Sequence, residues 1–341
     1  MMRVAFLARP ESGNGFYRAV GPMAALAKHR GHRVRALPVE RDSPQPPGPL
    51  DGLDVLHVHR YSEDRAWRIV RDAKASGVAV VWDNDDNNRA TPRGVAYDRV
   101  WNGFAGEQRL VRVKRLLRLV DLVTTPSAHL AEVLRHEGAP ATEVVPNFVP
   151  DAFLHPDRIP HPGVTIGWTA GLEHHADVER LPILPALQRL LDERDDVNVV
   201  SIGLRLGLRS DRYFNIRHVP LQSLTRQAAE FDIAIAPLAD IEFNRSRSNV
   251  KLKEYAAAGV PWLASPIGPY AGMGEKQGGR LVPDDGWHEA LVRLIEKPRE
   301  RRKLAKHGGR WVAGETLSKN VGAWEACLEQ AVARARAAAP A

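Results

Sequence analysis

The stretch 243–270, FNRSRSNVKLKEYAAAGVPWLASPIGPY, decides how the chain is read. Residues 249–259, NVKLKEYAAAG, read as a helix that stops at Gly259, and VPWLAS (260–265) follows as a short apolar strand. Lys251 and Glu254 stand three apart and share one helix face. Arg245, Arg247 and the helix-start Asn249 place cations and an amide where a helix N-terminus already favours anions. A diphosphate calls for cationic charge and amide donors, and a ribose calls for a carboxylate that accepts from two hydroxyls. The spacing supplies both, although an amphipathic helix with surface ion pairs reads the same way.

Outward from this stretch, short β-branched runs alternate with helical segments in both directions. On the N-terminal side lie RVAFLA (3–8), a helix stopping at Gly31, RVRALPV, a proline-rich loop at 43–49, LDVLHV (53–58), VAVVW (78–82) and DLVTTP (121–126). Residues 148–163, FVPDAFLHPDRIPHPG, carry four prolines and little periodicity, and read as an interdomain linker. The alternation then restarts with VTIGW (164–168), a helix over about 177–193, VNVVSIG (197–203), FNIRHVP (214–220) and FDIAIAPL (231–238). The expectation is an α/β protein with two doubly wound, Rossmann-like domains: 1–150, 151–315, and a helix over 316–341 that can return to the first domain. Two such domains face each other across a central cleft lined by strand ends.

Composition narrows the class. The 341 residues are 44% hydrophobic and 26% charged, with a net charge of +7, as expected of a globular protein with room for an anionic partner. No stretch has the roughly 18–20 apolar residues needed to span a bilayer. The start, MMRVAFLARPESG, reads as a first strand rather than a signal peptide, and a cytoplasmic location is the simplest expectation. The single cysteine, Cys327, leaves no internal disulfide and no cysteine zinc cage. The basic helix EQRLVRVKRLLRLV (107–120) is amphipathic: it suits peripheral contact with an anionic membrane, or equally the cover of a sheet.

Two loops carry further chemistry. ESGNGFYR (11–18) is glycine-rich and opens a helix, so Gly13 and Gly15 can let the backbone approach an anion. Arg18 stands where a dinucleotide fingerprint needs its third glycine, which disfavours a nicotinamide dehydrogenase. VVWDNDDNN (80–88) sets Asp83, Asp85 and Asp86 directly behind a strand. Three readings stand: a metal site with oxygen ligands, carboxylates that orient or deprotonate an acceptor hydroxyl, or a polar loop closing a strand.

NVKLKEYAAAGVPWLAS resembles the donor-binding helix and following strand of retaining glycosyltransferases of the GT-B fold, family 4 type. DLVTTPSAHLAEVL…EVVPNFVPDAF (121–153), GGRLVPDDGWHEALVRLI and GFYRAVGPMAALAKHRGHRV are similar to further segments of that family in the same order. The resemblance implies a nucleoside-diphosphate sugar donor, with the sugar passed to a hydroxyl or amine on a small-molecule, lipid-linked or polymer acceptor. Glu254 would bind the ribose, and Lys251, Arg245 and Arg247, with Ser248 and Asn249, the diphosphate. Gly13 and Gly15 would lie over the phosphates. Trp168, His174 and Asp177, in IGWTAGLEHHADV, occupy the loop where many members carry an Arg and a Lys. Tyr17, Arg18, Asp83, Asp85 and Asp86 fall on the acceptor side, with Asp83, Asp85 and Lys251 as catalytic candidates. Two departures stand out: Ser246 replaces the first glutamate of the family's paired glutamates, and Asp83 falls where relatives often place a histidine. No cofactor and no metal are implied, because cations take the metal's electrostatic role. A non-catalytic nucleotide-sugar or nucleic-acid binder of the same fold is the alternative.

Overall fold

The computed structural model describes residues 1–9, 13–38, 50–92 and 103–338. The proline-rich loop at 43–49 and the first two residues of the glycine loop, 11 and 12, lie outside these.

Two six-stranded sheets organise the chain. The first holds β1 (Arg3–Leu7), β2 (Arg33–Ala36), β3 (Val55–His59), β4 (Ala79–Asp83), β5 (Leu122–Thr125) and β6 (Thr142–Val144), in the order β2-β1-β3-β4-β5-β6. All neighbours pair in parallel. The runs VLHVH of β3 and AVVWD of β4 are buried at every position, as strands covered on both faces by helices must be. Its helices are α1 (13–30), α2 (Asp64–Ala75), α3 (Gly103–Leu117) and α4 (Ala128–His136). Ser127 starts α4 by accepting the Leu130 amide at 3.3 Å.

Helix α1 is irregular at its start. Phe16–Val20 is wound as a π-helix between the α-helical Gly13–Gly15 and Gly21–Arg30. The wider turn rotates successive side chains away from their ideal faces. Tyr17 and Arg18, adjacent in sequence, are both buried.

The second sheet holds β7 (Val164–Ala170), β8 (Val197–Gly203), β9 (Tyr213–Ile216), β10 (Ile233–Ala236), β11 (Trp262–Ala264) and β12 (Gly279–Leu281), in the order β9-β8-β7-β10-β11-β12. Its helices are α5 (His175–Arg180), α6 (Ile183–Glu193), α7 (Leu224–Ala228), α8 (Glu242–Arg245), α9 (Val250–Ala257), α10 (Trp287–Glu296) and α11 (Pro298–Val312). The single helix expected over 177–193 is two. Leu181 is extended (φ −106°, ψ 146°), the conformation a residue before proline favours, and Pro182 separates α5 from α6.

Helix α12 (Leu317–Ala337) packs on α1, β4 and β5 of the first domain. Its Leu317, Val321, Trp324 and Leu328 share one core with Val4, Met23, Leu26, Val81 and Leu122. The chain thus crosses between domains twice, and the crossings are bonded side by side: Val149 N donates to Glu315 O at 3.0 Å and Leu317 N to Val149 O at 2.9 Å. Residues 148–163 therefore begin as a packed segment, with Phe148, Val149 and Phe153 buried. Lys253 on α9 binds both crossings, donating to Asn147 O at 2.7 Å and pairing with Glu315 at 2.6 Å.

Helix α3 covers the first sheet. Val113, Leu116 and Leu117 join the core, and Arg109, Lys114 and Arg115 pair with Glu63, Glu137 and Asp64. Among the described residues no helix is long and apolar enough to cross a membrane.

Candidate active site

Open α/β sheets bind ligands beyond the carboxyl ends of their strands, where the strand order reverses. In the first sheet that point lies between β1 and β3, and in the second between β7 and β10. A cleft of about 620 Å³ opens at both. Gly13, Asn14 and Tyr17 line it after β1, and His59 and Arg60 at the end of β3. Thr169, Gly171 and Glu173 line it at the end of β7, with Gly203 at the end of β8. Gly203 has φ +97°, and a Cβ there would stand 2.2 Å from the Ala170 carbonyl oxygen, so only glycine fits.

The second domain's wall is built on α9. Arg247 and Ser248 precede it, and Lys251 and Glu254 face the cleft one turn apart. Lys251 Nζ donates to the carbonyl oxygen of Thr169 and, at 3.2 Å, to its hydroxyl. Burial holds the Lys251 pKa below the ordinary lysine value, against the pull of Glu254, and Arg247 lowers it further. Burial pushes the Glu254 carboxyl up, while Lys251 and Tyr17 pull it back in part. The Tyr17 hydroxyl reaches across from the first domain and donates to Glu254 Oε1 at 2.7 Å. Arg247 pairs with Glu173 at 3.0 Å.

Six of the residues expected on the donor side stand apart from this wall. Trp168, His174 and Asp177 form a packed layer behind it. Asp177 accepts from His174 Nδ1 at 2.6 Å, the Ala239 amide at 2.8 Å and Asn244 Nδ2 at 2.7 Å, so it pins the segment after β10 to the loop after β7. Arg245 lies outside the cleft lining, bidentate to Asp240 at 2.7 and 2.9 Å, because it ends α8 on the other side of the turn from Arg247. Gly15 and Asn249 are likewise absent from the lining. Ser246, which the resemblance aligns with a glutamate, is fully buried and serves as an interdomain node. Its hydroxyl accepts from Asn87 at 3.2 Å and its carbonyl oxygen from Ser127 at 2.7 Å.

On the first domain's wall, the three aspartates separate. Asp83 is fully buried and does not line the cleft. Arg18 donates to it through Nε at 3.1 Å and Nη2 at 2.7 Å, and the Thr124 hydroxyl at 2.6 Å. Arg18 lies over the Trp324 ring at 4.7 Å and donates to Asn147 Oδ1 at 2.9 Å. Asn147 in turn donates to Ser248 at 3.0 Å. The pair therefore braces α1 and links β4 to the second domain from beneath the cleft floor.

Asp85 and Asp86 do line the cleft, clamped by Arg60. Arg60 holds a left-handed backbone, φ 62°, unusual for a non-glycine residue. Burial pushes Asp85 up, but Arg60, His59 and Arg18 outweigh it and hold the carboxyl well below its usual range. Asp86 is shifted up by burial and by Asp85, against the pull of Arg60.

His59 was not singled out in the sequence. It ends β3 in register with Asp83 on β4, and its Nε2 stands 3.3 Å from Asp85 Oδ1. The signal was present in LDVLHVHR, whose strand ends level with the aspartates. Among the described residues, no group of three or more His, Cys, Asp and Glu is arranged to hold a metal ion.

No family model and no curated protein sequence matches the chain. Solved structures do. Sucrose-phosphate synthase from Thermosynechococcus elongatus superposes with a TM-score of 0.65 at 16% identity, over 99% of each chain. Anabaena HepE, crystallised with UDP and glucose, gives a TM-score of 0.65 at 14% identity, over 96% of this chain and 100% of that one. A putative UDP-N-acetylglucosamine 2-epimerase from Listeria monocytogenes gives 0.58 at 13% identity, over 96% of each. At these identities the likeness is one of fold. The chain has the GT-B architecture, two Rossmann-like α/β domains facing a cleft.

Proposed function

We propose that the protein is a glycosyltransferase that moves a sugar from a nucleoside-diphosphate sugar to a hydroxyl or amine acceptor, with retention, in the manner of the family 4 enzymes. One observation carries this reading: Lys251, Glu254 and Arg247 converge on one wall of a cleft that lies beyond the carboxyl ends of both sheets. That wall offers two cations for a diphosphate and, one helical turn away, a carboxylate for ribose hydroxyls. The titles of the HepE structures name UDP and UDP-glucose as that protein's ligands, which makes uridine diphosphate the first probe to try.

In the reaction, the bond between the sugar's anomeric carbon and the diphosphate oxygen breaks, and its electron pair stays on that oxygen. The acceptor oxygen bonds the anomeric carbon on the same face. The acceptor's proton passes to the departing diphosphate. Arg247 and Lys251 stabilise the charge that develops there, a preorganised electrostatic role that would otherwise fall to a metal. His59, Asp85 and Asp86 face them and orient the acceptor. Asp83 and Arg18 act from below, by holding α1 and therefore Tyr17. The family resemblance supports retention, and Lys251 and Glu254 argue against a non-catalytic descendant. The ion pairs of Arg109, Lys114 and Arg115 favour a sheet-covering helix as the account of 107–120.

Calorimetric titration with uridine, guanosine and thymidine diphosphates tests the reading. One of the three binds; if none does, it fails.

A further inference from the structure

Glu173 sits where a diphosphate would be expected. It follows β7 by three residues and lines the cleft beside Arg247. Its Oε1 lies 3.0 Å from Arg247 Nη2 and 3.8 Å from His174 Nε2. The carboxylate also accepts its own backbone N–H, and Arg247 and His174 outweigh burial to hold its pKa well below the usual carboxylate range. It folds back against the Gly171 backbone, where a Cβ would stand 2.1 Å from Oε2 and 2.7 Å from Oε1. Lys251 completes the surround and feels the same carboxylate. One anionic group therefore already collects a guanidinium, a backbone amide and a bare glycine surface, the set of partners a phosphate takes in glycine-rich loops.

We infer that Glu173 is an internal anion that fills the seat of the donor's diphosphate in the free protein and must swing out before a donor can bind. The inference rests on the transferase reading of this cleft and deepens it. Its sign is opposite to that of the two ordinary roles for a cleft glutamate. A buttress that aims Arg247, or a group that receives sugar hydroxyls, strengthens binding, so its loss weakens the complex. An occupant competes, so its loss tightens the complex. If the seat is open about one tenth of the time, apparent affinity is lowered about tenfold. Arg247 then exchanges one anion for another and stays neutralised throughout, which spares the free protein a cluster of facing cations.

The test is calorimetric titration of the whole chain and its Glu173→Gln variant with inorganic pyrophosphate and with UDP. Pyrophosphate is included because it does not depend on the choice of base. The expected result is a roughly tenfold lower Kd for both probes in the variant, together with a lower thermal midpoint before ligand is added. Glu173→Asp, which keeps the charge and shortens its reach, gives a smaller tightening and covers the case in which Glu173→Gln folds poorly. Variants that bind pyrophosphate and UDP no more tightly than the parent overturn the inference. Failure of the transferase reading shows elsewhere: the parent binds none of the three nucleoside diphosphates, whichever way pyrophosphate affinity moves.

Discussion

The hydroxyl of Tyr17 and the carboxylate of Glu254 meet across the interdomain cleft at 2.7 Å, 237 positions apart in the chain. Both are buried, and each holds the other in its hydrogen-bonding form: Glu254 pushes the tyrosine pKa further up after burial has done so, and the tyrosine hydroxyl pulls the Glu254 carboxyl down against burial. On the proposed reading this is the carboxylate that takes ribose hydroxyls, so Tyr17 stands in for a ribose until one arrives. Tyr17→Phe leaves a buried acceptor without its donor, which costs about 1–3 kcal/mol. Thermal denaturation of the free variant reports that loss, and a saturating nucleoside diphosphate abolishes it. A deficit that persists unchanged at saturation sinks the substitution of tyrosine by ribose.

Glu254→Ala and Lys251→Ala weaken nucleoside diphosphate binding by about tenfold to a hundredfold each, the scale of a lost charge-assisted hydrogen bond. Calorimetry reads both. Arg245→Ala, placed outside the lining and paired with Asp240, leaves the affinity within about twofold. A loss at Arg245 as large as that at Lys251 would contradict the placement of the diphosphate.

Asp83→Asn and Asp85→Asn separate structure from turnover. The first strips the charge partner from a guanidinium with no exposure at all, and costs about 3 kcal/mol of stability. The second leaves the brace intact and lowers the transfer rate about a hundredfold. Denaturant unfolding and single-turnover rates distinguish them, and a fully stable, inactive Asp83→Asn protein would return Asp83 to the reacting centre.

His57 sets an acid limit. It is fully buried on β3 against Trp324, and neither ring nitrogen has a hydrogen-bond partner. Burial lowers its pKa from 6.5 to about 4, although Asp83 acts the other way. Between those values the unfolded chain binds a proton that the folded chain does not, so stability falls as pH drops through that window. The full effect is about 3 kcal/mol below pH 4. His57→Leu flattens this part of the stability curve; an unchanged slope rules His57 out as its source.

Much of this was legible in the sequence, and what was not has a physical reason. Strand and helix order follows from local patterning, so both sheets and the helix bearing Lys251 and Glu254 lie where the apolar runs place them. Whether a polar residue reaches the cleft depends on helix phase and partners far away in sequence. Asp83 and Asp85 differ by two positions, yet the partner that buries Asp83 is Arg18, drawn inward by a π-turn that no periodicity announces. Arg245 and Arg247 look equivalent in sequence, and the turn between them sends one to Asp240 and the other to Glu173. His59 was missed because its role depends on strand register with Asp83, a relation between β3 and β4 rather than a property of either.

The return of α12 to the first domain has a consequence for biosynthesis. One face of the first sheet is covered by Val321, Trp324 and Leu328, residues that leave the ribosome only after the entire second domain has been made. The second domain can complete its core during translation, while the first waits with Val4, Val55, Val81 and Leu122 exposed. The half of the molecule synthesised earlier is thus sealed later, and a chain stopped at residue 316 would yield a finished second domain joined to an aggregation-prone partner.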